Sequence, residues 1–151
     1  MKVVFMGTPD FSVGTLKAIV EAGHEVAAVV TQPDKPKGRG GAMSFSDVKQ
    51  AAIELGLLVL QPKRARDEEF VNELRKINPD VIVVVAFGQI LSKEILDMPK
   101  YGCVNVHASL LPKYRGASPI QWAVIDGCEY SGVTTMMMNE AVSYTHLTLP
   151  T

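Results

Sequence analysis

Asn105 and His107 stand two residues apart in CVNVHAS (103–109), inside an apolar run that then breaks into LLPKYRG. In an extended strand, alternate side chains share a face, so Cys103, Asn105 and His107 are expected on one side and Val104 and Val106 on the other. An amide can donate a hydrogen bond without titrating, and an imidazole can move a proton near neutral pH. Side by side, they suit acyl transfer, with Asn polarising a carbonyl oxygen and His handling the proton. Neither Ser109 nor Cys103 offers an obvious nucleophile: Ser109 lies in no Gly-x-Ser-x-Gly turn, and Cys103 lies further down the strand. The attacking group is therefore expected to come from a substrate. An isolated histidine is more often a hydrogen-bonded core residue. Two polar side chains sharing a face at a strand's carboxyl end shift the balance toward a site.

The elements that must position this pair alternate between strand and helix. KVVFM (2–6) reads as a short strand, followed by the turn GTPD and a helix over 11–22 with Phe11, Leu16, Ile19 and Val20 near one face. EVAAVVT (25–31) is a second strand. The following QPDKPKGRGGAMS (32–44) is expected to be a long loop, because its prolines and glycines remove donors and ordering. Ser46 caps a helix reaching Leu55, with Val48, Ala51, Ala52 and Leu55 inward. LLVL is a brief strand, and DEEFVNELRKI (67–77) is a helix with acids at its positive end. DVIVVVAF is an apolar run of the kind buried on both faces of a parallel sheet. The repeat implies an α/β fold, a Rossmann-like, mostly parallel sheet with flanking helices. Ligands in such sheets bind beyond the carboxyl ends of the strands, where GTPDF, PDKPKGRG, FGQIL and HASLLPKYRG converge.

Composition excludes several classes. The 151 residues are 47% apolar and 21% charged, as in a globular domain with a real core. VIVVVAF is too short to span a bilayer, and the start lacks a secretory leader, so a cytoplasmic protein without membrane attachment is expected. Cys103 and Cys128 have no C-x-x-C spacing and imply neither a disulfide framework nor a metal site. The net charge is −1, yet residues 31–66 hold seven basic against three acidic side chains. A basic patch there could meet a nucleic acid, although charge alone favours a solvated face. Trp122 and the methionines, Met136 to Met138 included, are expected to pack in the core, and His24 to sit at the surface.

Taken together, MGTPDF, QPDKPKGRG, VVVAFGQIL, NVHASLLPKYRG and GVTTMMMNE resemble, in that order, the folate-dependent formyltransferases, and most closely those acting on aminoacylated initiator tRNA. The resemblance implies formyltetrahydrofolate as co-substrate, no metal, initiator methionyl-tRNA as partner and a monomer. By that match, Asn105 and His107 are catalytic. Phe87, Gly88, Gln89 and Ile90, with Ser109, Leu110, Leu111 and Pro112, receive the folate. Lys35, Lys37 and Arg39 form a basic arm toward the tRNA. An α-amine titrates at about 7.7–8.0, so a proton acceptor beside it helps it attack.

The resemblance breaks near the end of the chain. The family pattern places a third catalytic residue, an aspartate, at about Ser143, and this chain has no acidic residue after Glu140. Residues 1–141 thus read as a partial catalytic domain, its sheet incomplete at the C-terminus, and 142–151 as a non-native tail in which His146 has no role. The family's C-terminal tRNA-binding β-barrel is expected to be absent, and the literal chain inactive. Two alternatives remain at this point: a formyltransferase acting on a small amine such as glycinamide ribonucleotide or an amino sugar nucleotide, and a non-catalytic binding module.

Overall fold

The computed structural model describes residues 1–140. The expected tail, with Ser143 and His146, lies outside them. A six-stranded sheet runs in the order β5 (Val59–Leu60), β2 (Glu25–Val30), β1 (Lys2–Gly7), β6 (Val81–Val85), β7 (Cys103–His107), β8 (Thr134–Met137). Every neighbouring pair is parallel except β7 and β8, which run antiparallel. From β1 the chain winds outward through β2 to β5, then crosses back to lay β6 on the other flank of β1. The winding direction thus reverses between β1 and β6, the place where an open α/β sheet opens a crevice.

The period-two pattern of the strands sorts side chains onto two cores. Helices α1 (Asp10–Glu21) and α2 (Asp47–Glu54) cover one face, packing around Phe5, Leu16, Val29, Val48 and Val85. Helices α3 (Glu68–Ile77) and α4 (Lys93–Asp97) cover the other, around Met6, Phe70, Leu74, Ile82 and Ile95. The α3 helix forms as its sequence demands: Glu68 and Glu69 sit in the first turn, Arg75 and Lys76 in the last, and Asn78 ends it at φ 53. Ser46 caps α2 by accepting from the Lys49 backbone N–H.

Several expectations are corrected. Residues 32–44 are not a plain loop: β3 (Lys35–Lys37) and β4 (Ala42–Ser44) pair as a separate antiparallel hairpin. Its glycines do not disorder it; Gly38 and Gly41, each at φ 68, supply the left-handed backbone that the turn requires. Pro36 is tolerated because a two-stranded ribbon has only edge strands. Helix α4 was not legible, being a single short turn capped by Ser92. Leu55 is exposed at the end of α2, and Met137 projects outward from the edge strand. Trp122 is not a core residue. It is 45% exposed on α5 (Pro119–Ile125), a helix whose only buried residue is Ala123.

Candidate active site

Strand β7 delivers Asn105 and His107 as the alternation predicts. Cys103, Asn105 and His107 are all buried on one face, while Val104 and Val106 are half-buried on the other. Cys103 anchors that face in the α3/α4 core, and burial, with the Asp97 charge second, pushes its thiol up to about 12. The two polar side chains lie beyond it, toward the carboxyl end.

A neighbouring backbone fixes the histidine ring. His107 Nε2 is 2.7 Å from the carbonyl oxygen of Tyr114. A carbonyl can only accept, so Nε2 carries the hydrogen of this bond. The carbonyl comes into position because the 108–116 loop folds back on itself. Ser109 Oγ donates to the Lys113 carbonyl at 2.7 Å, and Tyr114 sits at φ 55. The Tyr114 hydroxyl lies 2.8 Å from Asp126 Oδ2 and 2.9 Å from Cys128 Sγ. Those two partners, Cys128 foremost, hold the phenol above its ordinary range. From β8, Thr134 Oγ1 donates to the Ser109 carbonyl at 2.7 Å and accepts from the Leu111 N–H at 3.2 Å. The Tyr114 carbonyl is thus one group that orients the His107 ring.

The β1 and β6 ends meet across the crevice. Thr8 Oγ1 donates to the Phe87 carbonyl at 2.9 Å, and Ser12 Oγ to the Val85 carbonyl at 2.5 Å. Of the segment expected to receive a folate, Phe87 is a core side chain, Gly88 turns at φ 88, and Ile90 is exposed. The Gln89 side chain is committed elsewhere: it accepts from the Ala65 N–H at 2.6 Å and donates to the Pro62 carbonyl and to Gln32 Oε1. Gln32 Nε2 in turn donates to the Gly88 carbonyl at 3.0 Å. This amide relay escaped the sequence reading. Gln61 Nε2 joins it by donating to the Gln32 carbonyl at 3.2 Å, and its only signal was these three glutamines, each shortly past a strand.

Ser109 is likewise buried and engaged, whereas Leu110 is exposed. Leu110 and Pro112 wall a cavity of about 430 Å³ together with Tyr114, Cys128 and Tyr130. The cavity lies between two connecting segments, and neither Asn105 nor His107 lines it, so the strand-end crevice is the better candidate for chemistry. Lys35, Lys37 and Arg39 are exposed on the β3–β4 hairpin, separate from the histidine loop in the chain. Among the described residues, no group of three His, Cys, Asp or Glu could hold a metal ion, and no helix is long and apolar enough to cross a membrane.

The formyl transferase family pattern matches residues 1–144. The chain belongs to this family. It is 75% identical over 142 residues to the methionyl-tRNA formyltransferase of Lachnospira eligens, covering 94% of this chain and 45% of that protein. It is 58% identical over 151 residues to that of Clostridioides difficile, covering 100% of this chain and 49% of the relative. The chain therefore spans about half the length of these curated relatives. Among solved structures, phosphoribosylglycinamide formyltransferase from Bacillus halodurans superposes with a TM-score of 0.71 at 20% identity, over 93% of this chain and 73% of that one. A sugar N-formyltransferase from a Shewanella species gives 0.60 at 19% identity, over 93% and 52%. The family's fold is the one described above, a mostly parallel sheet with helices on both faces.

Proposed function

We propose that this chain is the catalytic half of a cytoplasmic enzyme that moves a formyl group from formyltetrahydrofolate to the α-amine of methionyl-initiator tRNA, for translation initiation. The observation that carries the reading is the buried Asn105 and His107 pair on one face of β7, at the carboxyl end of the sheet. The folate donor supplies an activated formyl carbon. What the protein must add is charge stabilisation at the formyl oxygen and a place for the proton of the attacking amine. Asn105 carries amide N–H donors suited to an oxyanion. His107, its Nε2–H held by the Tyr114 carbonyl, is the residue suited to handle the amine's proton. Gly88 exposes backbone beside the apolar Ile90, which suits a flat heteroaromatic ring bearing both donors and acceptors. The exposed Lys35, Lys37 and Arg39 suit RNA phosphates. A small amine would give that arm no task.

The test is Asn105→Ala and His107→Ala in the full-length protein, assayed for formylation of methionyl-tRNA. Each is expected to lower kcat by about a hundred- to thousandfold, with circular dichroism unchanged. A wild-type rate in either variant would overturn the assignment of that residue.

A further inference from the structure

Beyond β6 the chain turns out of the sheet through two left-handed residues, Ala86 at φ 50 and Gly88 at φ 88. An alanine keeps that backbone only where its surroundings hold it there. Burial alternates along the turn: Phe87 is buried and Gln89 half-buried, while Ala86, Gly88 and Ile90 are exposed. The exposed residues offer backbone and apolar groups, a ledge without a long polar side chain. Phe87 fastens it from one side by burial in the α3/α4 core. The other fastening is an amide.

The Gln89 side chain reaches the turn that follows β5. Its Oε1 accepts from the Ala65 N–H at 2.6 Å, and its Nε2 donates to the Pro62 carbonyl at 3.1 Å and to Gln32 Oε1 at 2.9 Å. Gln32 passes the contact back to the ledge, its Nε2 donating to the Gly88 carbonyl at 3.0 Å. It packs so closely that a Cβ on residue 88 would lie 2.9 Å from that nitrogen. The backbone fixes the polarity of this network. An N–H can only donate and a carbonyl can only accept, so position 89 must present one acceptor and two donors, a set that only a primary amide supplies. Ala65 is buried, so an apolar side chain at 89 would leave its N–H without that acceptor.

We propose that Gln89 is a positioning residue for the formyl donor: by tying the turn beyond β6 to the turn beyond β5 and to Gln32, it holds Ala86, Gly88 and Ile90 as a preset ledge for a flat heteroaromatic ring. A ledge already in place spares the donor the cost of ordering it on contact. The identity of the ring, that of formyltetrahydrofolate, rests on the function proposed above; the tie itself does not. Asn105 and His107 are carried by a different strand, β7, so losing the tie weakens donor binding rather than the transfer step.

The experiment compares Gln89→Leu and Gln32→Leu in the full-length protein, with two readouts. The first, without substrates, is hydrogen exchange at the Ala65 amide. It should quicken about tenfold in Gln89→Leu, which removes the acceptor, and stay near wild type in Gln32→Leu, which does not. The second is steady-state kinetics. KM for formyltetrahydrofolate should rise about tenfold in Gln89→Leu and about threefold in Gln32→Leu, while kcat and KM for methionyl-tRNA stay within about twofold of wild type. A side chain that merely supports the fold would lower the melting temperature without this split. Unchanged exchange at Ala65 in Gln89→Leu overturns the tie. An unchanged donor KM in Gln89→Leu, a fall in kcat alone, or an equal rise in both KM values overturns the positioning role. If Gln89→Leu does not fold, Gln32→Leu decides, and a donor KM at the wild-type value there overturns the proposal. A wild-type protein that cannot use formyltetrahydrofolate would refute the proposed function, while the Ala65 exchange rates would still judge the tie.

Discussion

Gly7 sits where β1 ends and α1 is about to begin, and its lack of a side chain is a packing requirement. A Cβ built there would lie 2.8 Å from both Ser12 Cβ and the Val85 carbonyl oxygen, and 3.0 Å from Phe5 Cε1. The nearest oxygen is backbone of the neighbouring strand, paired with Gly7 in register, so it cannot swing away. Gly7 has no left-handed φ, which leaves crowding as the sole penalty for alanine. Overpacking of this kind costs about 1–3 kcal/mol. Pushing α1 outward also threatens the buried Ser12-to-Val85 hydrogen bond, worth about 1 kcal/mol. Gly7→Ala should therefore destabilise by about 2–4 kcal/mol, lowering the urea midpoint by about 1–2 M at an ordinary denaturant slope. Gly14 in α1 is the control: nothing lies within 4 Å of its hypothetical Cβ. Gly14→Ala should stabilise by up to about 1 kcal/mol through helix propensity alone. Urea unfolding followed by far-UV circular dichroism reads both. A Gly7→Ala midpoint equal to wild type, with Gly14→Ala raised, would refute the claim that α1 seats against the sheet through this glycine.

Two further outcomes follow from the charge and thiol environments. Cys103, buried with its thiol pushed to about 12, should stay unlabelled by a thiol reagent at pH 8 in the native protein, while the partly exposed Cys128 reacts; mass spectrometry of tryptic peptides would show it, and equal labelling of the two would refute the burial argument. Lys49, with Gln61 second, lowers the Asp34 carboxyl below its usual 3.8. The pair's contribution is thus fully present above that value and lost as pH falls through the lower folded midpoint. An NMR titration of the Asp34 carboxyl should give a midpoint below 3.8 that rises in Lys49→Met, and a wild-type midpoint at or above 3.8 would contradict the geometry.

Much of the fold was legible because its signals are local. The cap at Ser46, the acidic start and basic end of α3 and the β-branched run of β6 each act within a few residues, and each produced its element. The face shared by Asn105 and His107 follows from the pleat alone, since a strand cannot place residues two apart on opposite sides. The readings that failed weighed composition against pairing. Glycines and prolines in 32–44 looked like disorder until the register of Lys35 with Ser44 gave them a turn to make. Trp122 looked like core by type, but α5 buries only Ala123.

Sequence by itself determined the α/β alternation, the strand ends that could hold a site and the Asn105 and His107 pair within it, because these depend on periodicity and on short-range backbone preference. Only the tertiary structure decided that Thr8 bonds the Phe87 carbonyl, that the Tyr114 carbonyl aims His107, and that Lys49 meets both Asp34 and Phe45. Such contacts depend on which side of β1 receives β6 and on how each loop folds back. Those choices are set by the burial of whole faces, which no window of a few residues contains.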